Sequence, residues 1–93
     1  MRLIEQQMNQ AIATQVSWSK DNTKVIYTEG NRISLISLHG HNIAYYDHIL
    51  GELVPNLGTL AEWPTRTTKS RLRALGVDVY TRKHITYVNG EAV

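Results

Sequence analysis

The sequence predicts an α+β fold in which helices pack on an antiparallel sheet. Three observations support this: apolar residues recur at helical spacing near the N-terminus, the first half contains short strand-like segments separated by turns, and a second helical segment follows Pro64. The 93 residues and 42% apolar content suit a single domain, residues 1–93. We therefore expect, in order, an N-terminal helix, an antiparallel β-meander, a second short helix and a C-terminal β-hairpin.

An amphipathic helix is predicted over residues 2–15, because apolar side chains return every three or four positions. These side chains are Leu3, Ile4, Met8, Ala11, Ile12 and Val16. The opposite face is rich in Gln and Asn and carries little charge, which suits either solvent or another chain. Because the chain also lacks Phe and has a modest core, we expect a symmetric dimer that uses the face of Gln6, Asn9 and Gln10.

Three strands are predicted in the meander, at residues 24–28, 32–39 and 42–48. A turn cluster at Ser19–Asn22 comes before the first strand, Gly30 lies after it, and Gly40 follows the second. The second strand has apolar side chains on both sides, so we expect both of its faces to be at least partly covered, as in a central strand. The Gly- and Pro-containing stretch that follows is irregular, with a short strand at residues 59–62.

The second helix is predicted at residues 68–75. Thr67 or Thr68 can cap its first turn, because a hydroxyl can accept a hydrogen bond from a free backbone N–H there. Gly76 suits the left-handed position just after a helix. Leu72 is expected to face the core.

The C-terminal hairpin is predicted from two strands, residues 77–81 and 85–88, with its turn at Arg82 and Lys83. Asn89-Gly90 is a strong turn dipeptide. Only three residues follow it, so we expect it to end the sheet.

Cysteine and phenylalanine are both absent. Without cysteine the chain has no disulfides, no thiolate chemistry and no zinc site of the cysteine type. Aromatic packing must come from five Tyr and two Trp, whose polar groups need partners when they are buried. No apolar run approaches the roughly 20 residues of a membrane span, and no apolar signal segment follows the N-terminus. We expect a complete small protein that stays in the cell that makes it and has no membrane partner.

Several short motifs follow one another along the chain. They are Trp18, Asn22-Thr23, Leu38-His39-Gly40, Ile43-Ala44, and Thr67-Thr68-Lys69-Ser70-Arg71-Leu72 followed by Ala74-Leu75. In this pattern the chain resembles small accessory proteins of tailed phages and prophages. The resemblance covers most of the chain and implies a phage gene product, and it brings no known activity or catalytic residue with it. The chain departs from the pattern at His41 and Arg73.

The histidines and carboxylates follow no known catalytic or metal-binding pattern. The sequence His39-Gly40-His41 is typical of a hairpin turn, whereas zinc sites use spaced ligand pairs on a stable frame. The chain has no GxSxG elbow, no Walker loop and no GxGxxG sequence. A Ser-His-Asp triad can still form from residues far apart in sequence, but the mere presence of those residue types is uninformative. We expect no enzyme activity, no catalytic residue, no metal site and no cofactor.

Positive charge is concentrated between Pro64 and His84. Six basic residues and one acid give this segment a formal charge of +5, against −3 for the rest of the chain. Such an asymmetry points to an anionic partner. The predicted binding residues are Arg66, Lys69, Arg71, Arg73, Arg82 and Lys83.

The arrangement of these six cations depends on the second helix. Lys69 and Arg73 lie four residues apart and share one side of it, with Arg66 at the entrance. Arg71 is expected to project from another part of the surface. Arg82 and Lys83 at the hairpin tip join these cations if the hairpin folds back alongside the helix. The alternative is a solvated face whose arginines pair with the neighbouring carboxylates Glu62 and Asp78.

The sequence leaves two classes of function open. The first is a phage-encoded protein that binds and modulates a host protein or defence complex in the cytoplasm of an infected bacterium. Tyr, Trp and Arg are frequent at the centres of such interfaces. The second is a protein that binds DNA or RNA, with cations on phosphates and tyrosines stacked on unpaired bases. Added salt separates the two, because binding to phosphates weakens steeply as salt rises.

Overall fold

The computed structural model describes residues 1–93 as three helices and eight strands. The helices are α1 (Leu3–Ala13), α2 (Leu57–Glu62) and α3 (Arg66–Ala74). The strands are β1 (Trp18–Lys20), β2 (Thr23–Thr28), β3 (Ile33–Leu38), β4 (His41–Asp47), β5 (Glu52–Pro55), β6 (Val79–Arg82), β7 (Ile85–Val88) and β8 (Glu91–Ala92). The predicted α+β class is confirmed. No helix is long and apolar enough to span a membrane.

Strands β1 to β5 form an antiparallel meander in which each strand pairs with its neighbours in sequence. The three predicted strands correspond to β2, β3 and β4. Strand β1 overlaps the first half of the predicted turn cluster, because Lys20 pairs with Thr23 and only Asp21 and Asn22 remain in the turn. Asp21 has a φ of 53°, a left-handed conformation that Asp tolerates better than most residues.

The short strand predicted at residues 59–62 is wrong, because this segment forms helix α2. The side chain of Asn56 accepts a hydrogen bond from the backbone N–H of Thr59 at 3.1 Å and caps the first turn. Leu60 is then fully buried in the core. The fifth strand of the sheet lies earlier in the chain, at β5.

Helix α3 begins two residues earlier than predicted, and its cap is Thr65. The Thr65 hydroxyl accepts a hydrogen bond from the Thr68 N–H at 3.1 Å, so neither predicted cap, Thr67 or Thr68, takes that role. The predicted glycine signal is confirmed, because Gly76 has a φ of +99° directly after the helix. Its N–H donates to the Arg73 carbonyl, which closes the last turn.

The C-terminal segment forms a three-stranded sheet in the order β6-β7-β8. The turn of the first hairpin lies at Lys83 and His84, one residue later than predicted, because Arg82 pairs with Ile85 at the end of β6. Both turn residues have a positive φ, as in the tight turns that fit the twist of a hairpin. Asn89-Gly90 does not end the sheet, since β8 follows it and pairs with β7.

The core lies between the helices and one face of the meander. Its largest fully buried apolar side chains are Met8, Ile36, Ile43, Leu60, Leu72 and Val25. Val79 and Val88 from the small sheet join the same cluster. The prediction that Leu72 faces the core is confirmed.

The helices leave the other side of the meander uncovered, and we call this side the outer face. Ile26 is 41% exposed and Leu35 is 37% exposed. The prediction that both faces of the second predicted strand are at least partly covered is confirmed, because its helix side is buried and Ile33 on the outer face is half-buried. The strand's buried side chains, Ser34, Ile36 and Leu38, all lie on the helix side.

The polar side of α1 is less free than predicted. The Asn9 amide donates a hydrogen bond to the Ala74 carbonyl at the end of α3, at 3.0 Å. Gln6 and Gln10 are exposed. Asn9 therefore joins the two helices of one chain and does not face solvent freely.

Candidate functional site

Helix α3 carries three cations along one side. Arg66, Lys69 and Arg73 are spaced three and four residues apart, which places them in line on consecutive turns. Arg66 and Arg73 are exposed, and Lys69 is half-buried. The predicted line of three cations on one side of the helix is present in the structure.

The C-terminal hairpin lies alongside this row of cations. Lys69 Nζ donates a hydrogen bond to Thr81 Oγ1 at 2.5 Å, and Arg73 Nε donates to the Val79 carbonyl at 2.7 Å. The hairpin therefore runs alongside α3, and the side chain of Arg82 points to the side of the hairpin opposite to Thr81. The condition that the hairpin folds back alongside the helix is met, while a joint role of the two groups of cations stays a prediction. We call Arg66, Lys69, Arg73, Arg82 and Lys83 the basic surface.

The cations of the basic surface have no carboxylate partner within the chain. The only ion pair with a nitrogen–oxygen distance of 4.0 Å or less is elsewhere, between Glu5 and Arg71. Glu62 and Asp78, the neighbouring acids that were candidates for pairing, form no ion pair with any of these residues. Five positive charges therefore lie on one helix and one hairpin tip without internal neutralisation.

Arg71, the sixth predicted binding residue, does not reach the surface. Only 4% of it is exposed. Its Nη1 donates to Glu5 Oε2 at 2.9 Å, and its Nε donates to Thr23 Oγ1 at 3.0 Å. The prediction of an exposed Arg71 is wrong, because this residue lies on the helix side that faces α1 and β2. It joins three elements inside the protein.

Glu5 is the buried counterpart of Arg71. Burial by itself raises the pKa of the Glu5 carboxyl, because it disfavours the charged form. Hydrogen bonds from Ser70, Arg71 and the backbone N–H of Arg2, with the positive charge of Arg71, outweigh burial and lower the pKa below its ordinary value of 4.5. Glu5 is therefore ionised at neutral pH and forms a complete charge pair with Arg71.

An aromatic pair lies on the hairpin beside the basic surface. Tyr80 and Tyr87 face each other across β6 and β7, with ring centroids 5.2 Å apart and an angle of 12° between the ring planes. Arg82 and Ile85 are the next pair on the same side, because side chains alternate along a strand. We call these four residues the hairpin face. Tyr80 is 39% exposed and Ile85 is 45% exposed.

The hairpin face is a candidate surface that sequence reasoning missed. The sequence feature that could have revealed this face is the strand register, which a two-residue turn at Lys83 and His84 determines. A turn placed one residue earlier shifts the pairing and separates Tyr80 from Tyr87. Arg82 belongs to both the hairpin face and the basic surface, so the two surfaces are contiguous.

The four histidines lie in separate places. His39 is in the β3–β4 turn and bonds Asn22, His41 stacks on Trp63 with centroids 4.1 Å apart, and His48 bonds Ser34 at 2.8 Å. His84 is in the β6–β7 turn. No three His, Asp or Glu side chains come together in an arrangement that could hold a metal ion.

The whole chain matches one protein family. Residues 1–93 match the model described as Kyanoviridae Gp96 protein, so the chain belongs to this phage family. The phage origin implied by the motifs is confirmed, while the motif pattern itself stays a prediction. No curated protein and no solved structure matches the chain.

Proposed function

We propose that this member of the Kyanoviridae Gp96 family is a non-enzymatic accessory protein. Its basic surface docks on an acidic surface of a host protein and modulates that protein in the cytoplasm of the infected bacterium. The observation that carries the proposal is the set of five cations without a carboxylate partner. Their positive charge is not neutralised within the chain, and an anionic partner supplies that neutralisation.

Two of these cations are held in place before any partner arrives. Hydrogen bonds fix Lys69 to Thr81 and Arg73 to the Val79 carbonyl. A long basic side chain that is already ordered loses less conformational freedom on binding. The α3 side of the basic surface is therefore preorganised for a partner with carboxylates at matching spacing.

The hairpin face favours a protein partner over a nucleic acid. Tyr and Arg are the residue types enriched at interface hot spots, and here Tyr80 and Arg82 flank an exposed aliphatic side chain, Ile85. Apolar contact with Ile85 and Tyr80 can provide the centre of an interface. The five cations then form its polar rim and speed association with an acidic patch.

A nucleic acid is the second candidate, and the Tyr80–Tyr87 stack favours it. Each ring has one face against its neighbour, and the outer ring face can stack on an unpaired base. The five cations can neutralise phosphates along a strand. This alternative needs a single-stranded ligand, because bases in a duplex are already stacked.

Capture from host lysate, with and without nuclease, tests both candidates. The informative variant is Arg66→Ala with Arg82→Ala, because neither side chain makes a hydrogen bond or ion pair within the chain. The matched control is Lys20→Gln with Arg32→Asn, which removes two exposed cations elsewhere. Asn at position 32 tolerates the left-handed φ of 52° found there.

We expect the wild type and the control to retain a stoichiometric host protein after nuclease treatment. The Arg66/Arg82 variant should lose that protein, with at least about a tenfold drop in affinity, the equivalent of about 1.4 kcal/mol. Release of the ligand by nuclease supports the nucleic-acid alternative. Retention of the same partner by the Arg66/Arg82 variant contradicts a role for the basic surface in either function.

A further inference from the structure

The outer face of the meander has a continuous apolar row. The strand register places Ile26 on β2 opposite Leu35 on β3, Leu35 opposite Tyr45 on β4, and Tyr45 opposite Val54 on β5. Ile33 lies on the same face, two residues along β3 from Leu35. Antiparallel sheets with one solvated face usually have polar side chains on that face. Four apolar side chains in one row across four strands depart from that pattern.

No part of the chain covers this row. All three helices contribute their buried side chains to the cluster on the opposite face, as Met8, Leu60 and Leu72 show. The small sheet contributes Val79 and Val88 to that same cluster. In a single copy of the protein Ile26 and Leu35 are therefore exposed, and Tyr45 and Val54 are half-buried.

Charges on the outer face lie at two diagonally opposite corners. Lys24 lies on β2, two residues before Ile26 and so on one side of the apolar row. Asp47 on β4 lies opposite Glu52 on β5, on the other side of the row. Lys24 and Glu52 are both exposed, and neither has an ion-pair partner within its own chain.

We infer that the outer face of the meander is the interface of a two-fold symmetric homodimer. The two-fold axis lies in the plane of this face, along the diagonal that does not join Lys24 to Glu52. It places Lys24 of one copy opposite Glu52 of its partner, and symmetry repeats this contact with the two copies exchanged. The two apolar rows then cross near Leu35 and Tyr45, in the orthogonal arrangement that packed sheets adopt. A single surface thus supplies both halves of an isologous contact.

The charge pattern selects a second copy over other occupants. A nucleic acid is disfavoured by the two carboxylates at one corner. The basic surface lies on α3 and the C-terminal hairpin, which are not on the outer face of the meander, so the dimer leaves it free. This inference therefore does not depend on the proposed function.

The size of the face indicates a reversible dimer. Five strands lie about 4.8 Å apart, and the central strand β3 has 6 residues at about 3.3 Å each, so the face spans roughly 20 by 20 Å. That is smaller than the about 800 Å² per partner of a standard stable interface. We expect dissociation on dilution through the micromolar range.

Sedimentation velocity over a micromolar concentration series tests the interface. The wild type should shift from the 10.6 kDa chain mass toward twice that mass as concentration rises. Leu35→Lys should raise the dissociation constant by at least about tenfold, because it buries a charge at the centre of the interface. Its position on the exposed face predicts an unchanged circular dichroism spectrum, and Leu35→Ser provides a second variant if Lys disturbs the sheet.

Reversing the charges at Lys24 and Glu52 gives a more specific test of the dimer interface. Lys24→Glu and Glu52→Lys should each raise the dissociation constant by roughly five- to tenfold, because each creates two like-charge contacts. An equimolar mixture of these two variants should dimerise like the wild type, since both contacts are again between opposite charges. Arg82→Glu, a charge reversal on the basic surface, is the matched control and should have no effect.

A wild type that stays monomeric up to its solubility limit overturns the inference. So does a dimer that survives Leu35→Lys, or a mixture of the two charge variants that shows no recovery. Loss of the dimer in Gln10→Lys, with Leu35→Lys unaffected, places the contact on the polar side of α1 instead.

Discussion

The two sides of helix α3 hold the same residue type in opposite surroundings. Arg71 is buried, bonds Glu5 and Thr23, and joins α3 to α1 and β2. Arg73, two residues later, is exposed and has no carboxylate partner. Two residues rotate a helix position by about 200°, so neighbours at this spacing point in nearly opposite directions. The comparison shows that the side of the helix decides whether an arginine stabilises the fold or is free for a partner.

The largest expected effect on stability comes from breaking the Glu5–Arg71 ion pair on the buried side of α3. Arg71→Ala should lower the free energy of unfolding by about 3–5 kcal/mol, because it leaves the Glu5 carboxylate buried without its counter-charge. Arg73→Ala is the matched control and should lose only about 1 kcal/mol, the value of one partly buried hydrogen bond. Urea unfolding of both variants measures the difference. Equal losses in the two variants would show that Arg71 is not structurally distinct.

A second variant separates the charge pair from ordinary packing on the same side. Leu72→Ala should lower the free energy of unfolding by about 2–4 kcal/mol, through lost burial and the cavity left behind. Leu75 is only half-buried, so Leu75→Ala should lose less. A loss below about 0.5 kcal/mol for Leu72→Ala would contradict its full burial.

Low pH should weaken the Glu5–Arg71 ion pair on the buried side of α3. The pKa of Glu5 is lower in the folded protein than its ordinary value of 4.5, so its ionised form stabilises the fold above that pH. This contribution is lost as pH falls below about 4.5 and through the lower folded pKa. Thermal unfolding from pH 7 to pH 3 should show the loss in the wild type. Glu5→Gln should be less stable at pH 7 and should show a flatter profile, and an unchanged profile would rule out Glu5 as the cause.

The smallest effect on stability is expected on the exposed side. Lys69→Ala with Arg73→Ala should lower the free energy of unfolding by about 1–2 kcal/mol, the value of two hydrogen bonds. The same variant should have a large effect on binding. For duplex DNA, the slope of log affinity against log salt should fall by about two. For an acidic protein surface, association should mainly slow. Wild-type behaviour with every ligand would identify this side as a solvated face.

Local patterns predicted much of the fold. Apolar spacing located α1, alternation and turn residues located β2, β3 and β4, and Gly76 located the end of α3. The short strand at residues 59–62 was wrong, because an Asn56 side chain that caps a helix outweighs a weak strand pattern. Strand β1 was missed, because three residues give too little pattern to distinguish a strand from a turn.

The candidate site was predictable only in part. Helical spacing alone aligned Arg66, Lys69 and Arg73. The contact of Lys69 with Thr81, which joins the hairpin to this row, required the tertiary structure. The Tyr80–Tyr87 pair required a strand register that depends on a one-residue difference in the position of the turn.

By itself, the sequence determined the features that depend on neighbours within a few residues: helix periodicity, turns, helix ends and the concentration of positive charge. Only the tertiary structure decided which cation is buried, because Glu5 and Arg71 are 66 residues apart and meet through the packing of α1 on α3. It also decided that one face of the meander is uncovered. Periodicity shows that a strand has two apolar sides, but the positions of the helices determine which side they cover.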